Sequence, residues 1–240
     1  MQQYFISSKI EIDSLILLDK KQSHHIKNVM RMKKDDNILI SDQNKVYLCR
    51  LSDVNDNVTA YAYKEVNNDS ELPFEINLYL SLIKQDKWEW AIQKACELGV
   101  SRIIPLITKH CVVKANENIS KKLDRYNKIA LEACEQAQRL KLVEISMPIK
   151  LMDLALASKD LNIVAYEKEK DTHISLCNFD KNTNVIIGPE GGFSDEEIEH
   201  LTTLGIKSVS LGKRIYRAET AALYALSIIG ADGEKNSWKK

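Results

Sequence analysis

The chain has 240 residues and a mass of 27.4 kDa, enough for one or two domains and a sizeable core without metal or disulfide support. Apolar residues make up 44% and charged residues 28%, with eight glycines and four prolines, which excludes disorder, collagen-like repeats and low complexity. The formal net charge is zero, so this is not a polyanion binder with a uniformly basic surface.

No apolar run reaches the roughly 18 residues of a membrane helix, and MQQYFISSKI lacks the basic start and apolar run of a signal peptide. A cytoplasmic protein without membrane contact is expected. The cysteines Cys49, Cys96, Cys111, Cys134 and Cys177 form no CxxC pair and read as small buried hydrophobes.

In chain order, the first feature is a local concentration of charge. Residues 20–34 carry Lys20, Lys21, Lys27, Arg31, Lys33 and Lys34, with His24 and His25 among them and no acid. Such a patch is either a solvated face or a contact for phosphates, and charge patterning alone leaves both open. Around it, one helical stretch over 24–32 precedes β-type runs at 38–41, 46–54 and 58–66, separated by Asp, Asn and Gln. These predict a small β-barrel or sheet of about 70 residues. The polar, Asn-rich segment 62–75, ending near Pro73, marks a boundary, giving domains over 1–70 and 73–240.

After Pro73 the pattern changes to strands alternating with helices. A strand at 76–83 leads to a helix capped by Asp86, in which Trp88, Ala91, Ile92 and Ala95 share one face and Trp90 points away, with Gly99 just past its end. Further segments follow at 101–107, 123–137, 143–146, 151–158, 162–167, 173–178, 184–188, 195 onward, 209–212 and 219 onward. Six successive βα units predict an α/β fold with a mostly parallel sheet covered on both faces.

Five glycines gather at 188–212. In NVIIGPEGGFSDEE a strand runs into Gly188, Pro189, Glu190, Gly191 and Gly192, and Ser194 with Glu197 forms the capping box of the next helix. The second loop, SLGKRIYRAETAALYAL, repeats the strand, glycine, helix order with Arg214, Arg217, Glu219 and Thr220 clustered. Parallel strands would place both loops on one carboxyl edge, where ligands bind in such sheets. Glu219 could equally be a helix-start residue, and Arg217 a surface ion pair with Glu219 or Glu190. There is no GxGxxG after the first strand, no P-loop, no GxSxG, and His110, His173 and His200 lack ligand spacing, so metal-free, cofactor-bound chemistry is expected.

IIGPEGGFSDEEI followed by SLGKRIYRAETAALYAL resembles the signature of the SPOUT-superfamily 16S rRNA (uracil-N3)-methyltransferases, and KWEWAIQKACELGVSRIIPL, EACEQAQR and HHIKNVMRMKKDDNI extend the likeness over nearly the whole chain. The chain lacks a Pro shortly after Arg139 and carries Lys213 after Gly212 where Pro is frequent in that family. The resemblance implies a SPOUT-type sheet with a C-terminal trefoil knot, an exception to unknotted connections, behind an N-terminal PUA-like RNA-binding domain. It implies S-adenosyl-L-methionine held by Tyr166 and Glu167, by Gly188, Pro189, Glu190, Gly191 and Gly192, and by Leu211, Gly212, Ile215, Tyr216, Arg217 and Thr220.

On this reading Arg217 and Glu219 are the catalytic residues, with Glu190 an alternative proton acceptor. Lys27, Arg31, Lys33 and Arg139 contact phosphates of small-subunit ribosomal RNA, and the protein is a homodimer. Alternatives are another SPOUT RNA methyltransferase acting on tRNA or a ribose hydroxyl, a non-catalytic ribosome-assembly factor, and, more remotely, a nucleotide-binding oxidoreductase.

Overall fold

The computed structural model describes residues 1–111 and 119–237, and the chain divides into two compact units. The first takes Met1–Glu71 together with Cys134–Leu142, so the latter segment lies apart from the 73–240 stretch to which the sequence assigned it. Hydrogen bonds explain the placement. Gln3 Nε2 donates to the Arg139 carbonyl at 2.6 Å and Ser41 Oγ to the Leu140 carbonyl at 2.7 Å, tying the segment to two strands.

The strands of this unit are β1 (Gln3–Phe5), β2 (Ser14–Leu17), β3 (Asn37–Ser41), β4 (Val46–Asp53) and β5 (Thr59–Val66), in the sheet order β1-β3-β4-β5-β2. Only the β1–β3 pair is parallel. Alternating side chains of these strands enclose one apolar core around Tyr4, Ile26, Ile38, Ile40 and Leu51. Helix α1 (Lys20–His24) starts earlier than its apolar spacing suggests, because Asp19 and Gln22 form a capping box: the Gln22 amide donates to Asp19 Oδ1 at 2.8 Å and the Asp19 amide to Gln22 Oε1 at 3.2 Å. A π-helical turn, His25–Val29, continues it.

The second unit comprises Leu72–Ala133 and the chain from Val143 on. Its strands are β6 (Ile76–Ser81), β7 (Arg102–Ile107), β8 (Glu144–Ile145), β9 (Ile149–Lys150), β10 (Leu161–Ala165), β11 (Thr183–Ile187) and β12 (Lys207–Val209). All pair in parallel, in the order β12-β10-β11-β6-β7-β8, with β9 also on β7. Every residue of β11 is buried, as a central strand covered on both faces must be.

The helices are α2 (Gln85–Glu97), α3 (Ile119–Gln136), α4 (Asp195–Thr203) and α5 (Ala218–Ser237). Val164, Ile186 and Leu106 meet Leu201 of α4 and Phe193, while α5 packs on β6 and β11 and against α2.

Two sequence expectations need correction here. Lys84, not Asp86, occupies the cap position of α2; Asp86 lies inside the first turn, where a carboxylate complements the helix dipole without capping it. The alternation also contains fewer helices than six βα units require. A 3₁₀ turn (Ile174–Leu176) joins β10 to β11 and another (Leu151–Asp153) precedes β10, since neither stretch is long enough to nucleate an α-helix. The α2 face is as expected: Trp88, Ala91, Ile92 and Ala95 are buried, and Gly99 at φ 86° ends the helix in the left-handed region. Cys49, Cys96 and Cys134 are buried, Cys111 and Cys177 partly so, and all five are free thiols.

Candidate functional site

Three loops leave the carboxyl ends of β10, β11 and β12, which are parallel neighbours at one end of the sheet, with β10 in the middle. Together they enclose a cavity of about 300 Å³. Its first wall is Tyr166 and Glu167, its second Gly188, Pro189, Glu190 and Gly192, and its third Leu211, Gly212, Ile215, Tyr216 and Arg217.

Two expected members lie outside it. Gly191 faces His110, whose Cβ would sit 3.0 Å from an added methyl, and Thr220 instead lines a neighbouring cleft. Phe193, Ser210, Ala218 and Ala221 are among the further lining residues. Phe193 was legible only as an apolar residue ahead of the capping box; its placement as a wall of the cavity comes from packing in the core beneath α4.

The glycines are required by space and by backbone. A Cβ on Gly188 would lie 2.9 Å from Phe193 Cε2, and Gly192 adopts φ 69° with Glu167 Oε1 3.1 Å from where its Cβ would be. Gly212 adopts φ 119°, and its amide donates to Ser210 Oγ at 3.2 Å. The capping box read from the sequence is formed: the Ser194 amide donates to Glu197 Oε2 at 2.9 Å, and Glu197 Oε1 also accepts from the Lys109 amide at 2.7 Å. His110 Nδ1 lies 3.2 Å from the Gly192 carbonyl, so the glycine loop is braced from the β7 side.

On the third wall, Tyr216 stacks on Tyr224 of α5 with ring centroids 5.1 Å apart, and Arg214 Nη2 donates to the Tyr216 hydroxyl at 3.0 Å. Arg217 is exposed and its carbonyl accepts from the Ala221 amide at 2.8 Å, at the start of α5. Among the described residues it forms no ion pair with Glu190 or Glu219, so its guanidinium is available to a ligand. Glu219 is 6% exposed, and its Oε1 lies 3.8 Å from Lys87 Nζ of α2. It lines the second cleft with Lys87, Trp90, Ile215, Tyr216 and Arg217. The sequence set Trp90 off the buried stripe, open to either an interface or a second packing layer, and did not mark Lys87; their approach to Glu219 depends on α2 packing against α5.

In the first unit, Lys27, Arg31 and Lys33 are exposed beside the π-helical turn, and Lys27 Nζ lies 3.2 Å from Asp56 at the surface. Arg139 is different and leaves the set of candidate phosphate contacts. It is 3% exposed, and its Nε donates to Glu71 Oε1 at 2.9 Å while Nη2 holds Oε2. A buried bidentate pair satisfies the guanidinium inside the protein. Among the described residues, no group of three or more His, Cys, Asp or Glu could hold a metal, and no helix is long and apolar enough to cross a membrane.

The chain matches the model of an RNA methyltransferase domain over residues 70–230 and of an RNA methyltransferase PUA domain over residues 18–57. Ribosomal RNA small subunit methyltransferase E of Bacillus subtilis is 36% identical, over 98% of this chain and 98% of its own. The chain belongs to the ribosomal RNA small subunit methyltransferase E family. The Mesomycoplasma hyopneumoniae member is 35% identical over 95% of this chain and 98% of its own length.

Solved members have the same fold. The Neisseria gonorrhoeae methyltransferase E, bound to S-adenosylmethionine, superposes with a TM-score of 0.90 at 27% identity, covering 96% of this chain and 97% of its own. A Legionella pneumophila methyltransferase in complex with the same cofactor superposes at 0.88 and 31% identity, covering 95% and 96%. The parallel α/β methyltransferase domain behind a PUA-like unit, expected from the sequence, is therefore the family's architecture in this chain.

Proposed function

We propose that this methyltransferase E family member transfers a methyl group from S-adenosylmethionine to N3 of one uridine in small-subunit ribosomal RNA. Residues 1–70 together with 134–142 act as the PUA-like RNA-binding domain and the remainder of 73–240 as the knotted methyltransferase domain, and the protein works in the cytoplasm as a homodimer. The three-loop cavity at the carboxyl edge carries the reading. Its glycines leave a cradle in which a Cβ at Gly188 would press on the Phe193 ring, and its lining combines aromatic and aliphatic side chains, Tyr216 with Leu211 and Ile215, with the carboxylates of Glu167 and Glu190. A flat adenine with a cationic tail fits that division. When bound, S-adenosylmethionine supplies an electrophilic methyl group on a sulfonium.

N3 of uracil is a weakly acidic imide nitrogen on the Watson–Crick edge, so the base must be unpaired or extruded first. Glu219 would accept the N3 proton, and the freed in-plane lone pair would take the methyl carbon as its bond to sulfur broke, the bonding pair going to sulfur and leaving a neutral thioether. As the proton leaves, charge spreads onto O2 and O4, where the Arg217 guanidinium stabilises it. Glu219 is preferred to Glu190 as acceptor because it is buried beside the cleft that would admit the base, whereas Glu190 is exposed on the cofactor side. Holding the reacting groups in line supplies much of the acceleration. Exposed Lys27, Arg31 and Lys33 contact phosphates and position the RNA without reading its sequence.

The test is nucleoside mapping by mass spectrometry of small-subunit RNA from cells lacking the gene, incubated with protein and cofactor. A new 3-methyluridine at one site is expected; methylation of a ribose or another base overturns the uridine assignment. Glu219→Gln should slow single-turnover transfer about a hundredfold at neutral pH, and an unchanged rate at every pH would remove Glu219 from the mechanism.

A further inference from the structure

We propose that the cleft between α2 and the start of α5 is the subsite for the extruded uracil, and that Lys87 is a specificity-determining residue within it. The inference rests on the uridine reading above and names how the base is recognised.

The cleft has a volume of about 680 Å³ and shares Ile215, Tyr216 and Arg217 with the glycine-loop cavity. A base held in one therefore borders a cofactor held in the other across a single wall. The walls suit a planar heterocycle. Trp90 of α2 is 45% exposed and Ile215 90% exposed, and both line the cleft together with Tyr216. Trp88, two residues away on the same helix, is fully buried and stacked on Tyr126 with centroids 5.3 Å apart. Core packing accounts for Trp88 and leaves Trp90 unexplained. An indole face open to the cleft is a platform on which any base can stack.

The polar groups select among bases. The titratable side chains facing the cleft are Asp86 and Lys87 from α2, and Tyr216, Arg217 and Glu219 from the loop and α5. Lys87 and Arg217 can only donate hydrogen bonds, and an ionised Glu219 can only accept them. Lys87 Nζ lies 3.8 Å from Glu219 Oε1, whose side chain is almost wholly buried.

Donor, acceptor and donor are the complement of uracil, which presents the O2 acceptor, the N3–H donor and the O4 acceptor in a row. Cytosine places an amino donor against one cation and an unprotonated N3 against the carboxylate. A site built to pair a given polar edge rejects the analogue that leaves its buried groups unmatched. The same ammonium stabilises charge arriving on a uracil carbonyl oxygen as N3–H ionises, so it favours the reacting form of the base as well as its recognition.

The experiment is single-turnover methylation of small ribosomal subunits by the wild-type protein, Lys87→Gln and Lys87→Arg across pH, with cofactor affinity measured calorimetrically for each. Lys87→Gln should lose about a hundredfold at neutral pH. The deficit should narrow as pH rises and the imide ionises without help, and cofactor affinity should stay at the wild-type value. Lys87→Arg should retain most of the rate. An unchanged rate in Lys87→Gln, or a loss constant across pH, overturns the subsite while leaving the uridine reading intact. A wild-type protein that forms no 3-methyluridine overturns that reading, and the subsite with it. Trp90→Ala should raise KM for the subunits and Trp90→Phe restore it; equal KM values for all three proteins would remove Trp90 from the site.

Discussion

Arg139 and Lys27 are the same kind of residue in the sequence, a cation among polar neighbours, yet only one is offered to solvent. Glu71, 68 positions away, holds the Arg139 guanidinium through two oxygens and accepts from the Leu140 and Lys141 amides at 3.0 and 3.2 Å. Burial pushes the Glu71 carboxyl up, but Arg139 and the two amides outweigh it and hold it below the usual carboxylate range. A carboxylate with a depressed folded value stabilises the fold fully above its unfolded value and loses that contribution as pH falls through the folded one.

Glu71→Gln should therefore cost about 3 kcal/mol at neutral pH by leaving a buried cation unpaired, measured by urea unfolding. The gap to wild type should begin to narrow as pH falls below about 4, the ordinary carboxylate value, and close only once pH passes the lower value at which folded Glu71 protonates. No local signal in EACEQAQR marks Arg139 as buried, because its partner comes from a distant part of the chain.

Capping chemistry is where the elements were most legible. The Ser194 and Glu197 box forms as read, and Asp19 with Gln22 starts α1 by the same rule. The α2 start was not legible, since Lys84 holds the cap position with no side-chain bond and its placement depends on the β6 strand before it.

A register device also escaped the sequence. Asn77, Asn184 and Asn162 lie abreast on β6, β11 and β10, and their amides hand hydrogen bonds along at 2.9 and 2.7 Å. A one-residue slip would strand these groups against apolar neighbours. The π-helical turn after α1 leads to Arg31 at φ 52°, which fixes the chain path on which Lys27, Arg31 and Lys33 are exposed. Replacing Lys27 and Arg31 by Ala should lower RNA affinity and reduce the slope of log K against log salt by about 1.4 for single-stranded contacts, read from filter binding over a salt series. An unchanged slope would make the patch a solvated face.

At the scale of the molecule, the cavity exists because β10, β11 and β12 are parallel neighbours whose carboxyl ends open at one edge. A ligand bound only by the folded protein stabilises it by mass action. S-adenosylmethionine at a hundredfold above its Kd should add about 2.7 kcal/mol to wild-type stability. Gly188→Ala, whose new Cβ would press on the Phe193 ring, should weaken the cofactor about tenfold or more, corresponding to about 1.4 kcal/mol. Titration calorimetry reads the affinity, and melting with and without cofactor reads the stability.

Local and pairwise rules, applied to the chain alone, determined the two-part organisation, the parallel α/β class, the glycine loops and the family signature, because spacing, turn residues and capping pairs act within a few residues of one another. Tertiary structure alone decided which charges are paired and which are free. Arg139 is buried on Glu71 and Arg217 is left open, Gly191 and Thr220 fall outside the cavity that Phe193 joins, and Lys87 and Trp90 come to face Glu219. Those outcomes depend on helices and strands far apart in sequence being packed together, where burial changes what an identical side chain can do.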